Sequence, residues 1–102
     1  MATIITSQSY INYDIVAEKS AARDYVVLVT PEIEVDGDVV RLIIDGNHSY
    51  QAAIDDGVEP ELIEATAQEC DALTLPSDQW LDALYDRAGC GYLVADTMTA
   101  MW

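Results

Sequence analysis

Two aliphatic runs joined through a tight turn constrain this chain more than any other feature. Tyr25-Val26-Val27-Leu28-Val29-Thr30 is β-branched and apolar at successive positions, the pattern of a strand buried on both faces. Pro31 limits pairing at its own position, and Glu32-Ile33-Glu34-Val35 resumes with strict alternation. Asp36-Gly37-Asp38 is a hairpin turn in which glycine supplies a positive φ. Val39–Ile44 returns as the partner strand, interrupted only by Arg41. A chain carrying this hairpin must build a sheet around it.

The period then changes. Asp45-Gly46-Asn47 breaks the strand, and Tyr50, Ala53 and Ile54 recur at helical spacing within His48–Asp56. Asn47 is the expected N-cap, its side-chain oxygen accepting the Tyr50 amide. Gly57 occupies the position of a left-handed C-terminal residue. Glu61–Ala65 reads as a strand rejoining the sheet. Thr66-Ala67-Gln68-Glu69 has capping-box spacing and predicts a short helix through Leu73, with a further helix over Asp78–Arg87. Gly89 and Gly91 end that helix, Tyr92–Ala95 reads as a last strand, and Trp102 is expected to pack on the domain. Ala2–Thr6 reads as a first strand, while Ile11–Ala22 is ambiguous with helical character around Ile15-Val16-Ala17. The expected fold is α+β: one domain over residues 1–102, with a small mixed sheet, a hairpin and about three helices.

Charge narrows the function. Nineteen Asp and Glu face four Lys and Arg, a formal net charge of −15 at pH 7. Direct binding to a nucleic-acid backbone or an anionic membrane needs the opposite sign. A hydrophobic fraction of 51% argues against acidic disorder. The opening residues Met1–Ser7 lack a basic n-region and no stretch approaches a membrane span, so the expectation is a cytoplasmic protein. Cys70 and Cys90 are too few for a disulfide scaffold. Two free thiols are expected, with one bridge as the alternative.

The unit Leu42-Ile43-Ile44-Asp45-Gly46-Asn47-His48-Ser49-Tyr50-Gln51-Ala52-Ala53 carries what chemistry the sequence offers. Glycine lets the backbone turn and approach a ligand, and unpaired amides converge where a helix opens. Spacing alone gives either an anion site or a tight strand-to-helix connection. The hairpin followed by Asp45-Gly46-Asn47-His48-Ser49-Tyr50 resembles the ParB/sulfiredoxin-like superfamily over about Tyr25–Ala65. In that family a strand ends in a D-G-(H/N)-H-R type sequence ahead of an alanine-rich helix. The resemblance implies a phosphate or nucleotide ligand, with Mg²⁺ as the accompanying ion and hydrolase or phosphotransfer activity as the class of reaction. Asp45, Gly46, Asn47 and Ser49 would bind the phosphate, and His48 would be the catalytic or phosphate-contacting histidine. Two departures matter. Ser49 replaces the family arginine, removing the forked cation that holds phosphate. Asn47 stands where sulfiredoxin has its reactive cysteine, which rules out that chemistry here.

Other groupings are weaker. His48 is the sole histidine, and the cysteines lack metal-ligand spacing, so no metal site is expected. Asp55 and Asp56 lie at the far end of the helix from Gly46, roughly 15 Å away at 1.5 Å per residue, and read as a solvated face. A triad of Ser49, His48 and Asp45 fails because sequence neighbours point apart as a helix begins.

The run Glu59, Glu61, Glu64, Glu69, Asp71, Asp78, Asp82, Asp86 supports a second, non-enzymatic function. Between Arg41 and Arg87 there are 11 acidic residues and no Lys or Arg. Such a face is either a solubilising surface or the contact by which an acidic protein occupies a basic surface of a nucleic-acid-binding partner. Small DNA-mimicking proteins of phages and mobile elements, including those directed at CRISPR complexes, act in this way. The phosphate-site expectation takes precedence at this stage because it rests on ordered motif residues.

Overall fold

The computed structural model describes residues 2–7, 11–85 and 92–100. In chain order these hold β1 (Thr3–Thr6), α1 (Tyr13–Ala22), β2 (Val26–Val29), β3 (Ile33–Val35), β4 (Asp38–Asp45) and α2 (Asn47–Asp56). There follow β5 (Glu61–Glu64), 3-10 turns at Asp71–Thr74 and Ser77–Gln79, α3 (Trp80–Tyr85), β6 (Leu93–Val94) and β7 (Thr99–Ala100). The strands form one mixed sheet in the order β5-β2-β4-β1-β6-β7, with β3 also paired to β4. The α+β class and the small mixed sheet agree with expectation. Among the described residues no helix is long and apolar enough to cross a membrane.

The hairpin forms as its turn chemistry requires. Val35 pairs with Asp38, leaving Asp36 at φ 51° and Gly37 at φ 87° as the two loop residues. Positive φ at both positions matches the right-handed twist of the flanking strands. β4 is the longest strand and pairs with β3, β2 and β1, so it is the spine of the sheet. Its alternating side chains feed two cores. Val40 and Leu42 join Ile5, Ile33 and Cys70, with Trp80 and Leu81 of α3 packed against them. Ile43 joins Val27, Val29, Tyr50 and Ala95, the cluster beneath α2.

The structure corrects several expectations. β2 is buried on one face only: Val27 and Val29 are inaccessible, while Val26 is 42% exposed. The strand stands one place in from the end of the sheet, and a continuous aliphatic run does not reveal that position. The ambiguous Ile11–Ala22 is helical, capped by Asn12, whose side chain accepts the Asp14 amide, and closed by Arg23 in the left-handed region. The capping-box contacts of Thr66 with Glu69 form at 3.1 Å, yet no α-helix follows. Cys70 is drawn into the first core at 4% exposure, and Leu75, preceding Pro76, is extended with ψ 162°. Pre-proline sterics therefore stop the helix within one 3-10 turn. Of the helix expected over Asp78–Arg87, only Trp80–Tyr85 is α-helical among the described residues. Asp86, Arg87, Gly89, Cys90, Gly91 and Trp102 lie outside the described residues. Cys70 is a free, buried thiol.

Gly46 is where packing tolerates no side chain. It sits at φ 97°, and a β-carbon there would lie 2.8 Å from the Val26 carbonyl oxygen and 3.0 Å from the Val27 α-carbon. Gly57 also has positive φ, 68°, but nothing lies within 4 Å of its would-be β-carbon. Gly57→Ala should cost about 1 kcal/mol through backbone strain alone, and Gly46→Ala about 3 kcal/mol, because the strand backbone must also move. Urea unfolding of the two variants checks this; equal costs would refute the close approach.

Candidate functional site

The connection from β4 to α2 places the motif residues. Gly46 caps the helix by its backbone, its carbonyl accepting the Tyr50 amide at 2.8 Å, and its side-chain position makes no capping bond. Asn47 is thus inside the helix and is not the expected N-cap. Its Oδ1 instead accepts the Thr6 hydroxyl at 2.5 Å, tying α2 to β1. The physical reason is the left-handed Gly46, which starts the helix one residue earlier than the sequence signal.

Each remaining motif residue also has an internal partner or a buried place. The Asp45 carboxylate accepts the Gly46 amide at 2.8 Å, so the first amide available to an anion is already covered by a negative group. His48 Nε2 accepts the Asn12 amide at 3.1 Å. That contact requires a neutral imidazole with its proton on Nδ1, and it fastens the start of α1 to the start of α2. Ser49 is buried at 1% exposure.

Asp45, Gly46 and Ser49 line a small cleft of about 230 Å³ together with Lys19, Asp24, Val26 and Leu28. Asn47 and His48 point elsewhere, so the five motif residues are not gathered round one ligand position. Within the cleft Lys19 pairs with Asp24 at 3.0 Å. The Lys19 hydrogen bond, followed by the Val26 amide, holds the Asp24 carboxyl below its ordinary range. One cation therefore faces two carboxylates. Sequence reading missed Lys19 and Asp24 because they belong to α1 and the segment after it, brought in only by helix packing. Among the described residues no three His, Cys, Asp or Glu side chains come together to hold a metal ion.

Asp55 and Asp56 differ from expectation in part. Asp55 accepts from Gln51 on the exposed face at 2.9 Å. Asp56 is exposed but bonded: its Oδ2 accepts the Ser20 hydroxyl at 2.6 Å and the Tyr25 hydroxyl at 2.7 Å. Ser20 first and Tyr25 second hold its carboxyl below the ordinary range, and Asp56 in turn raises the Tyr25 phenol. Beneath α2, the Tyr50 hydroxyl donates to Asp96; burial first, then that carboxylate, pushes the phenol well above the usual tyrosine range.

The acidic run lies on the outside. Glu59, Glu61, Glu64, Glu69, Asp71, Asp78 and Asp82 are all exposed, and Asp86 is outside the described residues. Arg41 reaches this surface: its Nε donates to the Thr30 carbonyl at 2.9 Å and its Nη2 pairs with Glu64 at 3.1 Å. No protein-family model, curated protein or solved structure matches this chain.

Asp24 and Asp56 set the acid limb of stability. Both folded carboxyls titrate below the unfolded value, so their contribution is present above about pH 4 and is lost as pH falls through the lower folded values. Thermal midpoints between pH 2 and 6 should fall toward acid, and Asp56→Asn should flatten that fall. An unchanged acid limb in Asp56→Asn would remove the Ser20–Asp56–Tyr25 link from the account.

Proposed function

We propose that this chain is a non-enzymatic acidic protein whose Glu59–Asp82 surface occupies a basic, nucleic-acid-binding surface of another protein. Its scaffold is read as ParB/sulfiredoxin-like, with the family's phosphate motif turned to packing. The carrying observation is the exposure of every described carboxylate from Glu59 to Asp82 along a stretch without lysine or arginine. The internal contacts of Asp45, Asn47 and His48 support the same reading, since they remove the groups that the phosphate site would need. A surface of one sign attracts a cationic partner over a distance limited by screening, roughly 8 Å at physiological ionic strength. Association is then fast and weakened by salt.

A retention experiment tests this. The immobilised protein is exposed to an extract of its source organism, and retained proteins are challenged with duplex DNA. A nucleic-acid-binding protein should be retained, released by duplex DNA and by salt, and lost by the triple variant Glu61→Lys, Glu69→Lys, Asp78→Lys. Glu64 is left intact because it holds Arg41. His48→Ala should retain the partner; loss with His48→Ala and indifference to the triple variant would sink the proposal.

A second reading has its own observation, the Lys19 ammonium beside Gly46 and Ser49 at the opening of α2. A phosphate or nucleotide there would meet Asp24 and Asp45. Those carboxylates offer oxygen ligands suited to Mg²⁺, which would be needed to offset their charge. The cleft of about 230 Å³ is below the roughly 300–1,000 Å³ usual for small-molecule sites. Calorimetry with ATP, CTP and inorganic phosphate, with and without Mg²⁺, should give no binding heat. Saturable heat that disappears in Lys19→Ala would reverse the order of the two readings.

A further inference from the structure

β5 ends the sheet, paired with β2 along one side and with no described strand on the other. The Glu61 and Ala65 amides donate to the Tyr25 and Val29 carbonyls, each at 2.8 Å. Because alternate residues of a strand direct their peptide groups to opposite sides, those of Leu62 and Glu64 face outward. Such an edge is a template for another strand.

Its side chains define what would fit. Glu61 and Ile63 share one face and Leu62 and Glu64 the other, so each face presents one carboxylate and one aliphatic group. All four are exposed, Leu62 at 39% and Ile63 at 43%, and Val58 just before them at 42%. A second copy of this chain is a poor occupant. Antiparallel pairing of Glu61-Leu62-Ile63-Glu64 with itself sets glutamate opposite glutamate, which is destabilising, and brings together two chains of −15 each. A strand of complementary charge meets neither penalty.

We propose that the outer edge of β5 takes up an extended segment of the partner as an additional strand, that segment reading basic-aliphatic-aliphatic-basic. The inference rests on the acidic-surface reading and names what that surface docks. Main-chain bonds to Leu62 and Glu64 supply attachment, and Lys or Arg beside Glu61 and Glu64 supplies selection. The order acid-aliphatic-aliphatic-acid is the same in both directions, so charge admits the segment parallel or antiparallel.

The test uses the full chain at low salt and a synthetic peptide, Lys-Val-Ile-Arg flanked by serines, followed by amide NMR and hydrogen exchange. The Leu62 and Glu64 amide signals should shift and their exchange should slow. The same peptide N-methylated on its edge-facing amides keeps its charge and should bind about tenfold more weakly or worse, and Leu62→Pro should act likewise. Glu-Val-Ile-Glu should not bind. If Leu62→Pro unfolds, the N-methylated peptide decides alone. Equal binding of the methylated peptide, or shifts confined to Glu69–Asp82, overturns the edge proposal and leaves the acidic-surface reading standing. Absence of peptide binding overturns the edge proposal, and only failure of the retention experiment overturns the reading beneath it.

Discussion

A helix can leave β4 and cross back over β2 only if backbone meets backbone at Gly46. The Val26 carbonyl and Val27 α-carbon occupy the space where any other residue would place its side chain. That approach sets the height of α2 above the sheet and seats Tyr50, Ala52 and Ala53 in the buried layer. The same glycine, at φ 97°, starts the helix before Asn47 and frees that side chain to reach Thr6. A residue read first as a ligand-facing hinge is thus equally the packing constraint on which the helical layer rests.

The helical layer is then fastened at several points. His48 accepts the amide at the start of α1, and Asp56 gathers Ser20 of α1 and Tyr25 ahead of β2. These contacts use polar atoms in place of a broad apolar seam, consistent with α1, which buries only Val16. On the opposite side of the sheet the chain uses short 3-10 turns and α3, with Trp80 donating to the Leu75 carbonyl at 2.8 Å. The two sides are therefore held by different means.

Local chemistry made the hairpin legible: Asp36-Gly37 dictates a two-residue turn, and alternation in Glu32–Val35 dictates the facing. The α2 helix was legible from its period, and Gly57 from its place after the last periodic residue. What the sequence could not carry was the distribution of partners. Whether Asn47 caps a helix or binds Thr6 depends on β1, more than forty residues away in the chain. Asp56 looks like any solvated carboxylate until α1 and Tyr25 arrive beside it. The capping box at Thr66–Glu69 was read correctly as chemistry, but Cys70 and Pro76 set what followed. At the candidate site, order along the chain was legible and convergence in space was not: Lys19 and Asp24 entered, while Asn47 and His48 turned away.

Arg41 has an effect beyond the strand that holds it. With Arg41 bound to the Thr30 carbonyl and Glu64, and Lys19 bound to Asp24, two of the chain's four cations are matched locally. What remains outside is close to a field of one sign, with little dipole to turn an approaching molecule. Such a field hastens encounter from every direction and selects none of them. Any preferred orientation must then arise after contact, from the shape and exposed peptide groups of the surface.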